Sequence, residues 1–318
     1  MKISRREFLR WTALGAGAAA GARVLSACAA SPEGGKTRLQ PPTPAPGSTY
    51  LAVARGGDDP EALTRAAVDA VGGMARFVPS GARVLIKPNM CVSRHSYELA
   101  ATTNPWVVGA LVKMCYEAGA ASVLVYDFPF DGSSKTAWGD SGIGAQVTVA
   151  GGRIEYVDGK KFIPATLPDG HSLTSAEFYS EVTNADVLIN APIAKHHSTA
   201  GLTLGMKNLM GAIHHRQEIH DDLHRRIADL ADYLRPELNV VDAVRIRIAN
   251  GPQGECPSDV RKIDTVIASA DIVAADAYAT RLFGWTDPNR LGYVKYGNEW
   301  GIGRSDLENL RIADIAVG

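Results

Sequence analysis

Six of the chain's eight histidines lie between positions 196 and 224, inside the stretch Asp186–Asp229. The stretch runs from a short apolar segment, Asp186-Val-Leu-Ile-Asn190, through Lys195-His196-His197 and Lys207-Asn208-Leu-Met-Gly211. It continues to His214, His215, His220 and His224. A solvated loop has no need of so many imidazoles and a core disfavours them, so the cluster points to a metal site, an anion site or proton transfer. His220 and His224 stand four residues apart, a spacing that can aim two rings at one metal on a helix. With His197 they form the candidate metal set. His196 and His197 cannot both face the same way in an extended segment, and His197 is assigned to the cleft. Gly205-Met-Lys207-Asn208 is too short, and lacks the hydroxyl, for a phosphate loop of the G-x-x-x-x-G-K-[ST] kind.

Further polar residues follow apolar runs. Ile86 precedes Lys87-Pro88-Asn89, Tyr126 precedes Asp127, Asn190 leads to Lys195, and Val241 precedes Asp242. In open α/β sheets, ligands bind at the carboxyl ends of strands. Lysine is not a turn residue, so Lys87 and Lys195 are read as site residues, and the four ends together predict one cationic, histidine-bearing cleft. Asp276 lies in an apolar helical segment, where a buried carboxylate needs a partner; Lys87, Lys195 or Lys207 would serve. Lys195, His197, Lys207, Asp127 and Asp276 are therefore the catalytic candidates. Lys87, Asn89, Asn208, Gly211, Asp242 and Gly254, the last in the loop Gly251-Pro-Gln-Gly254, are the candidates for holding a substrate or cofactor.

These residues must be positioned by alternating strands and helices. Strands are expected at Tyr50–Arg55, Arg83–Ile86, Ser122–Tyr126, Asp186–Asn190, Asn239–Asp242, Ile263–Ala268 and Leu310–Val317. Helices are expected at Asp59–Phe77, Asn104–Gly119, Asp222–Leu234, Asp271–Phe283 and Asn289–Tyr296, and a hairpin within Thr148–Asp169. Wholly apolar strands between helices indicate an α/β chain with a mixed, partly parallel sheet flanked by helices, as one body or as two lobes around one cleft. The chain has 318 residues, 21% of them charged, with a formal net charge of −1, so no electrostatic case exists for nucleic acid. Cys28, Cys91, Cys115 and Cys256 contain no C-x-x-C spacing, which argues against an iron–sulfur cluster bound by this chain's own cysteines. Cys91 and Cys256, both in loops, are the candidate disulfide or reactive thiols, and Cys115 reads as core.

The first thirty residues read as an address. Ser4-Arg5-Arg6-Glu7-Phe8-Leu9 fits a twin-arginine signal and Leu25-Ser26-Ala27-Cys28 a lipobox, with Cys28 lipidated. Cleavage after Ala29 is the competing reading. Residues 31–48, rich in Pro and Gly, form a tether, and residues 49–318 the folded domain. The expectation is a protein exported by the twin-arginine route to the periplasmic or cell-surface side, touching the membrane through its lipid alone.

The segments Leu-Ile-Lys87-Pro-Asn89, Val-Tyr-Asp127, Asn190-Ala-Pro-Ile-Ala-Lys195-His-His197, Lys207-Asn208-Leu-Met-Gly211, Ile227-Ala-Asp229-Leu, Val-Asp242-Ala, Gly251-Pro-Gln-Gly254 and Asp271-Ile-Val-Ala-Ala-Asp276-Ala occur in this order. Together they resemble the family called domain of unknown function 362, some members of which carry ferredoxin-type cluster domains. This chain lacks those cysteines, so electron transfer would need a partner. A fainter similarity, to the nickel-pincer lactate racemases, is an analogy only. Two functions compete. One is an exported enzyme acting on a small anionic substrate with a divalent metal or other cofactor. The other is a non-catalytic lipoprotein that binds a metal or anion and passes it to a redox or delivery partner.

Overall fold

A computed structural model describes residues 49–318. The signal, the lipobox with Cys28 and the tether lie outside the described residues. The strands are β1 Leu51–Arg55, β2 Arg83–Pro88, β3 Ser122–Val125, β4 Arg153–Ile154, β5 Phe162–Thr166, β6 Ser175–Tyr179, β7 Val187–Ala191, β8 Ile193–His197, β9 Gly201–Thr203, β10 Leu238–Arg247, β11 Val260–Ser269 and β12 Ile312–Ala316. The helices are α1 Pro60–Ala70, α2 Pro105–Glu117, α3 Ser134–Asp140, α4 Ile143–Val149, α5 Ser180–Asn184, α6 Gly205–Asn208, α7 Leu223–Leu234, α8 Ile272–Thr280 and α9 Gly292–Glu299.

Ten strands form one mixed sheet in the order β12-β1-β11-β10-β7-β2-β3-β4, with β8 on β10 and β9 on β8; β5 and β6 make a separate antiparallel pair. From β10 through β7, β2 and β3 to β4 successive strands are parallel, while β10 pairs antiparallel with β11. Alternation along them divides the core between the two faces. Ile86, Val125 and Ile189 pack with Leu63 of α1 and Val108 and Leu111 of α2. Leu85, Leu188 and Val241 pack on the other face with Ile227 of α7, Val273 of α8 and Val294 of α9. The caps follow the sequence: Asp59 and Asn104 accept backbone N–H bonds ahead of Pro60 and Pro105.

The register aligns the strand ends that matter. Ile86 pairs with both Val125 and Ile189, and Lys87 with Asn190. The residues after β3, β2 and β7 therefore emerge side by side. After Pro192 the chain resumes as β8 along β10, with Ile193 beside Asp242 and Lys195 beside Arg247. The sequence reading ends this strand at Asn190. Polar Lys195, His196 and His197 hide the continuation, because one side of β8 faces a cavity rather than a core.

The expected hairpin is displaced. Residues Ile143–Val149 are helical, and the hairpin joins β5 to β6 across a turn in which Leu167 N bonds Thr174 O. Asp169-Gly170 is the tip of that hairpin, not its end. The expected helix at Asn289–Tyr296 is shifted to Gly292–Glu299.

Candidate functional site

The aligned ends frame a cavity of about 320 Å³ lined by Asn89, Cys91, Asp127, Lys195, His197 and Lys207 among others. At its floor Lys87 is fully buried and donates to Asp127 Oδ1 at 2.6 Å; Asp127 Oδ2 accepts from the Met90 amide at 2.7 Å. Burial pushes the Lys87 ammonium below the usual lysine range, and the Asp127 charge opposes that shift. Gly211 closes over this pair. A Cβ there would lie 2.4 Å from Asp127 Oδ1 and 2.7 Å from Lys87 Nζ, so the ion pair requires glycine at this position.

Two asparagines join the cavity's elements. Asn208 donates to the carbonyls of Lys87 and Pro88 and to Asn190 Oδ1, and its own oxygen accepts from Asn89. Asn89 in turn accepts from Lys195 Nζ at 3.0 Å. The short α6 that carries Lys207 is fixed at its start by Asp276, which accepts from the Gly205 and Met206 amides at 2.6 and 2.8 Å. Asp276 is thus no partner of a lysine. Burial raises its carboxyl to about 7 against the backbone bonds that lower it. It positions Lys207 through the backbone.

The cavity has excess positive charge. Lys195 is held by Asn89 and by the Ala101 carbonyl, and Arg216 by the carbonyls of Phe128 and Pro129. Both cations take neutral partners here, not carboxylates. Lys207 is 9% exposed, and its hydrogen bond here is to the Met210 sulfur at 3.4 Å. Burial, then the Lys195 charge, pushes the Lys207 ammonium down to about 8.

His197 and His220 both line the cavity, and their hydrogen bonds give them opposite tautomers. His197 Nδ1 accepts from the Thr199 and Ala200 amides at 3.1 and 3.2 Å. Burial and the neighbouring lysines hold its pKa down to about 3. The ring is therefore neutral with its proton on Nε2. It is a hydrogen-bond donor, and neither nitrogen has a lone pair free for a metal. His220 Nδ1 faces the Gln217 carbonyl at 3.2 Å. A carbonyl only accepts, so Nδ1 donates and Nε2 keeps its lone pair.

The expected metal set does not assemble. His197 is committed as described. His224 packs on Gly292 and Tyr293, its buried Nδ1 has no hydrogen-bond partner, and it does not line the cavity. Among the described residues, the donors that do come within 4.8 Å of one another are Glu177, His214 and His215. His214 Nδ1 lies 3.0 Å and His215 Nε2 3.6 Å from Glu177 Oε2. The antiparallel bridge between Phe178 and Ile213 brings these segments together; Glu177 gives no signal in the sequence.

Two other candidates stand apart. Asp242 is buried in β10 and spends its oxygens on the Asn104 and Val244 amides at 2.7 and 3.0 Å, so it braces the start of α2. Gly254 packs on Arg247 and gives it a carbonyl acceptor; Pro252 is the member of that loop that lines the cavity. Cys91 and Cys256 are free thiols, the former buried at the cavity and the latter exposed, so the pairing expectation is replaced by two separate thiols. Cys115 is buried in α2. Arg216, which the sequence places in the histidine stretch without a role of its own, and Gln217, which it does not single out, both line the cavity; their place directly after His214-His215 is the signal that points to them. His196 turns away and accepts from the Gly251 amide at 3.1 Å.

The chain can be compared with known proteins on this basis. Thylakoid-associated protein sll1697 of Synechocystis sp. is 29% identical over 228 residues, which cover 69% of this chain and 68% of that protein. Among solved structures, the lactate racemase apoprotein from Thermoanaerobacterium thermosaccharolyticum aligns with a TM-score of 0.41 and 12% identity over 79% of this chain and 57% of that one. A protein from Thermotoga maritima aligns with a TM-score of 0.39 and 9% identity over 72% and 60%. The chain spans less than two thirds of either structure's length. Residues 84–281, from β2 through the end of α8 and so including the cavity's lining, match the family described as domain of unknown function (DUF362), and the chain belongs to that family.

Proposed function

We propose that residues 49–318 form an enzyme domain whose cavity takes a small carboxylate or phosphate. The observation that carries this reading is Lys207: a nearly buried ammonium, paired here with no carboxylate, beside Lys195 and Arg216 in one cavity. Leaving such a group unpaired is costly, and a bound anion supplies the missing partner. The Nε2–H of His197 and the remaining amide hydrogen of Asn89 would orient the anion, with Asn208 holding Asn89 in place. Lys207, poised near neutrality, would give or take a proton, and His220 Nε2 would be the second acid/base group at the mouth. Under the floor, Asp127 opposes the downward shift that burial imposes on Lys87. Calorimetric titration with inorganic phosphate tests the reading; binding in the wild type that Lys207→Met abolishes supports it, and no binding in the wild type rejects it.

The second reading, binding and delivery without catalysis, is favoured by Glu177, His214 and His215, which could hold a divalent zinc or nickel ion outside the cavity. Export and lipid anchoring are part of the same proposal. Arg5-Arg6 and the lipobox at Cys28 support them, as does a relative named for its association with thylakoids. No described helix is long and apolar enough to cross a membrane. Loss of export in an R5K/R6K variant, and of membrane association in C28A, would bear out this placement.

A further inference from the structure

We infer that Cys91 is a nucleophile of the cavity, selective for small carboxylates that carry an electrophilic carbon. The inference rests on the anion-binding reading of the same cavity. Cys91 follows β2 by three residues, is 7% exposed, and lines the cavity with Lys195, Lys207 and Arg216. Its backbone has φ +56°, a left-handed conformation that disfavours any side chain with a Cβ. A cysteine is nevertheless held there, with its sulfur 3.8 Å from the Pro252 carbonyl.

A second, independent feature points to a ligand beside it. Thr203 lines the same cavity, is 4% exposed, and its buried hydroxyl has no hydrogen-bond partner. With the Lys207 ammonium, it gives the cavity two polar groups awaiting an occupant. A carboxylate drawn to the cations places the rest of a small molecule against the sulfur. In a displacement at such a carbon, the C–S bond forms while the bond to the leaving group breaks. The leaving group departs with its electron pair, and the thiol proton passes to solvent. The field of the cavity raises the local concentration of the anion, not of a neutral reagent.

The other described cysteines give internal standards. Burial in α2 pushes the Cys115 thiol up, and Cys256 is exposed beside Ser258. The test alkylates the full chain with limiting iodoacetate or, separately, iodoacetamide, and follows each cysteine by peptide mass spectrometry. At Cys91, iodoacetate should outpace iodoacetamide by about ten-fold or more, while at Cys256 the neutral reagent should lead. Lys207→Met should slow iodoacetate at Cys91 far more than it slows iodoacetamide there, so that the preference shrinks or disappears. Phosphate binding is measured in parallel on Cys91→Ala. If Cys91 shows no preference for the anion while that variant still binds phosphate, the nucleophile assignment is overturned and the anion site stands. If neither preference nor phosphate binding is seen, both fail.

Discussion

Lys87 and Asp127 reach each other from the ends of adjacent parallel strands, Nζ to Oδ1 at 2.6 Å; Asp127 lines the cavity and Lys87 lies buried behind it. Because both are buried, removing one partner strands the other. Lys87→Met should destabilise the protein by about 3–5 kcal/mol, as should Asp127→Leu, while the double variant should recover much of either loss. Urea unfolding of the three proteins measures this. Additive losses would mean that the two charges do not depend on each other.

Gly211 tests the same floor from above. Gly211→Ala forces a Cβ against the ion pair, and about 1–3 kcal/mol of destabilisation is expected from overpacking. Gly139 is the comparison: it lies within α3, and a Cβ there meets nothing within 4 Å. Gly139→Ala should therefore stabilise by up to about 1 kcal/mol. The opposite signs of two Gly→Ala changes, read from thermal unfolding, separate a steric role from a general glycine effect.

Much of this site is visible in the sequence because parallel strands align their carboxyl ends. Once Ile86, Tyr126 and Asn190 are read as strand ends, Lys87, Asp127 and the run to Lys195 must lie together. What the sequence hides is how a buried carboxylate is satisfied. Asp276 reads as a demand for a cation, and Asp242 as a strand-end residue that holds a substrate or cofactor. In the fold each takes two backbone amides, and so does the same work for Asn104 and Gly205 that an N-cap does. Asp229 does likewise for His171, Ser172 and Leu173. Backbone donors carry no sequence signature, so lysines alone suggest themselves. The histidines mislead for a related reason: the spacing of His220 and His224 fits a helix, but His220 lies in a 3-10 segment that ends before α7 begins.

Metal content distinguishes the two histidine groups. His197→Ala should leave zinc binding unchanged, since its Nδ1 accepts two amides and its Nε2 carries the proton. His214→Ala and Glu177→Gln should each remove bound zinc if that group holds it. Zinc stoichiometry after equilibration and gel filtration is the measurement. Loss in His197→Ala alone would require a different tautomer in the cavity.

The pH dependence of the cavity should follow Lys207. Its ammonium has a pKa pushed down to about 8 in the folded chain, against about 10.4 when unfolded. Between these values the unfolded chain binds more protons, so this residue's contribution to stability rises with pH across the window. Below about pH 8 the group is charged in both states, and the folded chain bears the full cost of burying it. Lys207→Met should therefore stabilise the empty protein at pH 7, by up to roughly 3 kcal/mol, and the gain should vanish above about pH 10.4. Asp242 and Asp276, both raised to about 7 by burial, act in the opposite direction at lower pH, but they cancel when variant and wild type are compared. Anion binding runs the other way: it needs the ammonium, so phosphate affinity should fall as pH rises through about 8. Binding should also take up a proton near that pH, read as a buffer-dependent heat in calorimetry. Lys207→Arg, charged throughout, should flatten the pH profile above 8. A wild-type profile flat from pH 7 to 10 would show that Lys207 does not hold the anion.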